Sequence, residues 1–304
     1  MRRWGRCRRL AYRAFFQWCF LVMRVLGNLP LPWAKRFSRL LNPSFTLPMR
    51  RQRRRNISLL FPGYDAEQRR RFERAYLRYL AHVRADLAWL AYGGTAERIL
   101  HSVTLRGREH LDAALAKGSG VLIVEAHLGN WNFTPCVLAL LGYPVSAVTN
   151  PTVAGTVDMR HFHSRIASKC GVKLGFVGQS AYAVARETFR NNGIFYLSID
   201  VAIGTRRLQW FSLGSAAFQI DAGPAVFGRR HEVPVLFAEN LQTDSGTSIT
   251  LHPQPAVEGE ARRSCQPALP AAWLETMRRV ILEHPTQWWG LSCVGLARRP
   301  AESS

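Results

Sequence analysis

Residues 120–135 read GVLIVEAHLGNWNFTP. The apolar run that opens this stretch predicts a buried β-strand. Gly129 permits a tight turn, and Pro135 can take the first position of a helix capped by Thr134. The stretch therefore predicts a strand, a turn and a helix, with His127 in the turn. A histidine in such a turn can do chemistry, but one held by structural hydrogen bonds fits the pattern equally well.

Outward from this stretch, short apolar runs alternate with helical patterns, which predicts an α/β fold. The other predicted strands are Val145–Val148, Val172–Phe176, Ile194–Ile199, Val233–Asn240 and Thr247–His252. The predicted helices are Ala66–Ala91, Pro135–Leu141, Thr156–Lys169, Ala181–Asn191, Gln219–Gly228 and Ala271–Glu283. A chain of 304 residues is long enough to bury one large core, so we expect a single α/β domain with a short N-terminal appendage.

Composition narrows the function classes. The chain has 41 Lys and Arg against 20 Asp and Glu, so its surface should attract anions such as phospholipid headgroups, nucleic acid or an acidic carrier protein. A hydrophobic content of 47% excludes both a disordered chain and a polytopic membrane protein. The six Cys form no CxxC pair, so we expect no metal site, no disulfide framework and reduced thiols in a cytoplasmic setting.

The N-terminal segment, residues 1–48, is basic and aromatic. Five Arg within residues 1–9 precede a mostly apolar run, but Arg13 and Arg24 interrupt that run and no cleavage site follows it. A cleaved signal and a clean membrane span are therefore both disfavoured. We expect a helix that associates with the membrane surface and ends at the prolines of residues 30–32. An ordinary helix packed on the domain is the alternative.

A second basic block, with five Arg in residues 50–55, precedes the long predicted helix. Such a block can bind nucleic acid. No recognition-helix, RNA-stacking or zinc-finger pattern accompanies it, so we expect no nucleic-acid partner.

Polar residues follow two of the predicted strands. His127 lies just beyond the strand at 120–125, and Asp200 directly follows the strand at 194–199. If these strands are parallel, both side chains project from one carboxyl edge of the sheet. Open α/β sheets bind their ligands at that edge, so the sequence predicts a site there.

The run Ala126-His127-Leu128-Gly129-Asn130-Trp131 resembles the active-site signature of the lipid A biosynthesis lauroyl/myristoyl (late) acyltransferase family. In that family the run ends in Glu or Asp, whereas this chain has Asn132. Other blocks resemble the family in the same order: Asn56 to Pro62, Asn150-Pro151 with Arg165 and Gly171-Val172, Asp200 through Pro234-Val235, and His284 to Trp288. The resemblance covers about residues 50–290.

This resemblance implies the sandwich of the lysophospholipid acyltransferase-like superfamily, a glycerolipid-acyltransferase fold with a mixed, largely parallel sheet flanked by helices. It implies transfer of a fatty acyl group from acyl carrier protein or CoA to a hydroxyl of an anionic membrane lipid such as a lipid A precursor, in lipopolysaccharide biosynthesis and without a cofactor. It places the protein on the cytoplasmic face of the bacterial inner membrane, held peripherally or by a single N-terminal anchor. Residues 49–295 would form the acyltransferase domain and residues 296–304 a flexible tail.

Acyl transfer to a hydroxyl needs a base, and a neutral imidazole can supply it. We assign that role to His127. In the family, the acid five residues later fixes the imidazole tautomer and stabilises the imidazolium, but here that position is Asn132. Three hypotheses follow: Asn132 orients the ring weakly, Glu125 or Asp200 replaces the acid, or the site binds acyl chains or carrier protein without transfer. A capping role for Asn132 and a solvated salt bridge for Glu125 are the structural alternatives.

The remaining predicted site residues have looser roles. By resemblance, Arg165 should lie near the cleft, where it could clamp a phosphate or stabilise an oxyanion, although an exposed helix arginine fits equally well. Trp131 should form a wall of the acyl pocket, and Trp288 with Trp289 should fill core or lie at the lipid interface. The predicted substrate-binding residues are Gly129, Asn130, Trp131 and Glu125.

Overall fold

The computed structural model describes residue 15 and residues 17–153, 157–177, 181–202, 208–224, 232–253 and 269–298. Within these ranges the helices are α1 (residues 17–27), α2 (Leu31–Thr46), α3 (Arg50–Leu60), α4 (Ala66–Tyr92), α5 (Ala96–His101), α6 (Arg108–Leu115), α7 (Phe133–Leu140), α8 (Arg160–Cys170), α9 (Ala181–Arg190), α10 (Ala271–Glu283) and α11 (Gly290–Cys293). The strands are β1 (Val103–Arg106), β2 (Val121–Glu125), β3 (Val145–Thr149), β4 (Thr152–Val153), β5 (Val157–Asp158), β6 (Lys173–Phe176), β7 (Ile194–Ser198), β8 (Leu208–Leu213), β9 (Ala216–Asp221), β10 (Val235–Thr243), β11 (Gly246–Pro253) and β12 (Ala297–Arg298).

The main sheet has seven strands in the order β1-β11-β10-β2-β7-β3-β6. Neighbouring strands are parallel except for the β10–β11 hairpin, which is antiparallel. The predicted α/β fold with a mixed, largely parallel sheet is therefore confirmed. Because β2 and β7 are parallel neighbours in the centre of the sheet, their carboxyl ends lie side by side.

Both faces of the sheet are covered, as the continuous apolar runs predicted. All five residues of β2 are buried, and their side chains alternate between two cores. Leu122 and Val124 face a core shared with α3, α9, α10 and the β8–β9 hairpin. Val121 and Ile123 face a core shared with α1, α2, α7 and α8. The long helix α4 contributes side chains to both cores.

Two helices precede α3, where the sequence predicted one. Pro30 interrupts the run as predicted, but Pro32 lies in the first turn of the following helix α2, where its missing N–H costs nothing. Met23, Leu26 and Ala34 are buried against α4, so both helices pack on the domain. None of the described helices is long and apolar enough to cross a membrane.

The structure also differs from the sequence prediction at several short elements. Strands β1, β4, β5, β8, β9 and β12 were not predicted. Strand β12 pairs with β9 within the tail predicted to be flexible at 296–304. Strand β5 takes up the start of the helix predicted at 156–169, which begins at Arg160, and residues 219–221 form the end of β9 instead of starting the helix predicted at 219–228. Most of the rest of that predicted helix lies outside the described residues. Helix α7 begins at Phe133, so Pro135 is its third residue and Thr134 is not its cap. Strands of two to four residues, such as β1 and β12, are too short for an apolar period to mark them in the sequence.

Candidate active site

The carboxyl ends of β2 and β7 bring His127 and Asp200 together. The backbone N–H of Ile199 donates to the carbonyl of Glu125 at 2.9 Å, which extends the ladder one residue past β7. Asp200 then lies beside the turn that follows β2. The predicted meeting of these two side chains at one edge of the sheet is confirmed by their contact.

The contact is a hydrogen-bonded pair. Nδ1 of His127 lies 2.7 Å from Oδ1 of Asp200, and the backbone N–H of His127 donates to the same oxygen at 3.0 Å. The carboxylate accepts, so Nδ1 carries the proton and Nε2 keeps a free lone pair. The His127 side chain is 17% exposed, whereas Asp200 is fully buried. The imidazole is therefore partly exposed, and the acid lies buried behind it.

Asp200 is held in its ionised form. Burial acts to raise its pKa, but the nearby imidazole of His127 and hydrogen bonds from His127 and Trp288 outweigh burial, so the pKa lies below its ordinary value. An ionised carboxylate in this position fixes the imidazole tautomer and stabilises an imidazolium.

The third donor to Asp200 comes from the C-terminal segment. Nε1 of the fully buried Trp288 donates to Oδ2 of Asp200 at 2.8 Å. The same segment pairs with the active-site turn, because Trp289 N–H donates to the carbonyl of His127 and Gly129 N–H donates to that of Gln287. Trp288 thus does more than fill core, the role predicted for it. Sequence analysis did not detect this role, since no pattern links residue 288 to residue 200.

The turn itself requires glycine at position 129. Gly129 has φ +53°, and a Cβ there would lie 2.2 Å from the carbonyl oxygen of Asn240. Tyr79 on α4 donates its hydroxyl hydrogen to the Gly129 carbonyl at 3.1 Å. The strand β10 and the helix α4 therefore clamp the turn from two sides.

Asn130 is the centre of a buried polar network. Its side-chain amide donates to Asp86 and Thr247, both at 2.9 Å, and accepts from Gln242 at 3.0 Å. Its backbone N–H donates to Asn240 at 2.8 Å. The amide donors and acceptor of Asn130 are satisfied and only 3% of the residue is exposed, so its side chain holds the turn. Gly129 is also buried, and substrate binding by Asn130 and Gly129 stays a prediction.

Two indole rings flank the imidazole. The ring centroids of Trp131 and Trp289 lie 5.2 Å and 5.3 Å from that of His127, and 5.7 Å from each other. Both tryptophans are half-buried. The two indoles thus provide an apolar surface beside the imidazole, and the part predicted for Trp131 in the wall of an acyl pocket stays a prediction.

Glu125 lies beneath the pair but does not join it. Its carboxyl is fully buried and accepts from the hydroxyl of Thr134 at 3.3 Å, while Oε2 has no hydrogen-bond partner among the described residues. Burial raises its pKa well above the ordinary value, which favours the neutral form. Of the two acids that could replace the motif's acid, the structure thus pairs Asp200 with His127 and buries Glu125 away from His127, without a salt bridge among the described residues.

Asn132 occupies the position just before α7. Its side chain is half-exposed and makes no capping hydrogen bond, and within the described residues it has no hydrogen bond to His127. The structure thus gives Asn132 neither of the two roles predicted for it, since it neither orients the ring nor caps the helix.

Arg165 lies on α8 and contacts the C-terminal end of α4. Its Nε donates to the carbonyl of Ala91 at 3.0 Å, and its guanidinium lies 4.7 Å from the ring centre of Tyr92. Lys169 similarly donates to the carbonyl of Leu90. These residues line an open groove of about 530 Å³ at the C-terminal end of α4. Arg165 forms no hydrogen bond with His127 or Asp200 in the described part of the chain, so its predicted part in the reaction is not supported by a contact.

The described residues contain no group of three or more His, Cys, Asp and Glu side chains arranged to hold a metal ion. The chemistry that this arrangement can support is general-base catalysis: an imidazole with no hydrogen bond on Nε2 among the described residues, a buried carboxylate behind Nδ1, and two indole rings beside the imidazole. This fold and site define an α/β protein with a His–Asp pair, an arrangement that suits proton removal from a hydroxyl.

The sequence model of the bacterial lipid A biosynthesis acyltransferases matches residues 6–292, and the chain belongs to that family. This confirms the resemblance drawn from the sequence. The family's general activity, acyl transfer in lipid A biosynthesis, identifies the chain as an acyltransferase of this kind. A comparison with curated individual proteins gives no match.

Proposed function

We propose that the protein transfers a fatty acyl group from the thioester of acyl carrier protein or CoA to a hydroxyl of an anionic membrane lipid such as a lipid A precursor. One observation carries the proposal: the ionised Asp200 holds His127 with Nε2 free at the mouth of the site. That arrangement supports proton removal from a hydroxyl even though the motif's acid position is Asn132.

The reaction follows from these groups. Nε2 of His127 takes the proton from the acceptor hydroxyl as its oxygen attacks the thioester carbonyl. The tetrahedral adduct then breaks its carbon–sulfur bond, and the leaving thiolate takes the proton back from the imidazolium. Asp200 stays ionised throughout and stabilises the imidazolium. The products are an ester and a free thiol, and the activated thioester makes a cofactor unnecessary.

An exposed apolar surface supports a membrane location. Trp18, Leu21 and Val25 recur at helical spacing on α1, and Trp33, Phe37 and Leu40 do so on α2. We call these six exposed side chains the apolar face. Exposed arginines lie on the same helices, including Arg36, whose guanidinium is 5.7 Å from the ring centre of Trp33. Aromatic and aliphatic side chains interleaved with arginine suit the interface of an anionic bilayer, on the cytoplasmic side of the inner membrane.

Flotation with liposomes tests this location. The protein should float with vesicles that contain an anionic phospholipid, and Leu40→Glu should weaken flotation about tenfold because it puts a charge in the apolar face. Leu282→Glu, at an exposed leucine on α10, is the matched control and should bind as the native chain does. Equal binding by both variants would remove the apolar face from the proposal.

The basic surface supports a carrier protein as donor. The formal net charge of +21 attracts an acidic partner and the phosphates of a lipid acceptor alike. A competing hypothesis, that the chain binds acyl chains or carrier protein without transfer, rests on Asn132. The pairing of His127 with Asp200 argues against it, since the base keeps a charged partner.

The deciding experiment is acyl transfer by purified protein from a panel of acyl-carrier and CoA thioesters into bacterial membrane lipids. We expect ester formation by the native chain and its loss in His127→Ala. No transfer by the native chain, together with tight acyl-carrier binding, would replace the proposal with the binding function. Transfer that survives His127→Ala would remove the assigned base.

A further inference from the structure

The buried network around Asn130 reaches an N-terminal helix through one acid. Asp86 on α4 accepts from the Asn130 amide through Oδ2 at 2.9 Å. Its other oxygen, Oδ1, pairs with the ammonium of Lys35 on α2 at 3.2 Å. The side chain of Asp86 is 4% exposed and that of Lys35 is 24% exposed. A continuous chain of polar contacts therefore runs from α2 to the turn that carries His127.

The charge of Asp86 decides the geometry of that chain. An ionised carboxylate can only accept hydrogen bonds, so it requires the NH₂ end of Asn130 to point towards it. The amide oxygen of Asn130 then points to Gln242, which donates to it at 3.0 Å. A neutral Asp86 could donate instead, and the amide would be free to turn. The orientation of Asn130, and with it the turn, thus depends on an ionised Asp86.

Lys35 is the group that favours this ionisation. Burial raises the pKa of Asp86, and the ammonium of Lys35 and the hydrogen bond from Asn130 act against burial. The other side chains on Asp86 and Asn130, those of Thr247 and Gln242, are uncharged. His82, one turn before Asp86 on α4, has its pKa lowered to about 4 by burial and by Lys35, Arg39 and Arg78, so it stays neutral at pH 7.

We infer that Lys35 and Asp86 are positioning residues for the reaction, through which helix α2 holds the His127 turn in its working geometry. This positioning role rests on the proposed function. Helix α2 would then both carry three residues of the apolar face and hold the active-site turn. Neither residue touches the imidazole, so their effect passes through Asn130. Loss of the Lys35 charge should loosen the turn and slow turnover, while donor binding is unchanged.

The test compares Lys35→Met and Asp86→Asn with Lys173→Met. Lys173 forms an ion pair of the same chemistry with Glu187, at 2.7 Å and fully at the surface, and so serves as the matched control. Two measurements are made on folded full-length protein: amide hydrogen exchange of residues 127–132, and kcat and KM for the acyl donor.

We expect about tenfold faster exchange of the turn and about tenfold lower kcat in Lys35→Met and Asp86→Asn, with KM within about twofold. Lys35→Arg should restore most of both, and Lys173→Met should change neither. The kcat of Lys35→Met should rise with pH relative to that of Asp86→Asn, because burial raises the pKa of Asp86 and only the carboxyl can ionise.

The two proposals fail in different ways. Unchanged exchange of the turn in Lys35→Met would overturn the positioning role, whatever the activity. If Asp86→Asn does not fold, Lys35→Met and its arginine rescue decide the matter. Absence of transfer by the native chain would count against the proposed function alone, because the exchange measurement still shows whether the pair holds the turn.

Discussion

Two carboxyl groups lie fully buried at the ends of adjacent parallel strands, Glu125 on β2 and Asp200 after β7, and their pKa values move in opposite directions. Asp200 receives hydrogen bonds on both oxygens and faces an imidazole. Glu125 accepts one hydrogen bond of 3.3 Å from Thr134, and the hydroxyl of Tyr196 also acts against burial, but no cation pairs with it among the described residues. The groups that contact each carboxyl, and not its depth of burial, therefore decide whether its pKa is raised or lowered.

This contrast explains how the site can work with Asn132 in the motif. We propose that Asp200, which follows the neighbouring strand, takes the role of the acid that the family places five residues after the histidine. Asp200 reaches Nδ1 of His127 because β2 and β7 are parallel and adjacent. Glu125, although only two residues from His127, points to Thr134 at the start of α7.

The largest effect is expected from removing the charge of Asp200. Asp200→Asn keeps the shape but can present NH₂ to Nδ1, which selects the wrong tautomer and leaves Nε2 protonated. We expect kcat to fall about 10³- to 10⁴-fold, measured as ester formation at saturating donor. Glu125→Gln is the matched control and should keep activity within about twofold. Similar losses in both variants would contradict the contrast between the two acids.

Trp288 donates a hydrogen bond to Asp200 and not to Glu125. Trp288→Phe removes the indole N–H from Oδ2 of Asp200 and should lower kcat about tenfold, the loss expected for one hydrogen bond to a charged group. Trp273 is equally buried, and its Nε1 has no partner among the described residues. Trp273→Phe therefore controls for lost indole volume and should leave kcat near that of the native chain.

A change at Glu125 should alter the stability of the fold and leave kcat nearly unchanged. Its pKa in the fold is raised above the unfolded value of about 4.3, so the folded chain keeps a proton that the unfolded chain releases, and stability falls as the pH rises above that value. Glu125→Gln removes this dependence. We expect its Tm to exceed that of the native chain by about 3 °C at pH 8, with the difference vanishing near pH 4. A lower Tm at pH 8 would mean that Glu125 is ionised.

The smallest effect is expected at the motif position itself. Asn132 makes no hydrogen bond to the described residues, so Asn132→Ala should change kcat by less than about twofold. Asn132→Glu should likewise gain little, because Nδ1 is already paired with Asp200. A gain of more than about tenfold with Asn132→Glu would show that Asp200 is a poor substitute for the family's acid.

The sequence predicted the parts of this site that depend on strand order. Short continuous apolar runs indicated the positions of β2 and β7. Because these strands are parallel neighbours, His127 and Asp200 lie at the same edge of the sheet. The sequence did not predict contacts between segments that are far apart along the chain. Trp288 comes to the site by packing of the C-terminal segment. Lys35 and Asp86 come to it by packing of α2 against α4. No periodic pattern in the sequence indicates which segments pack together.

The pairing of His127 with Asp200 should fix the imidazole tautomer, and nitrogen NMR of histidine-labelled protein at pH 7.5 measures that tautomer. We expect a protonated Nδ1 and an unprotonated Nε2 in the native chain, the same signals in Asn132→Ala, and a shift towards protonated Nε2 in Asp200→Asn. A native imidazole protonated on Nε2, or one whose signals change with residue 132 and not with residue 200, would contradict this pairing.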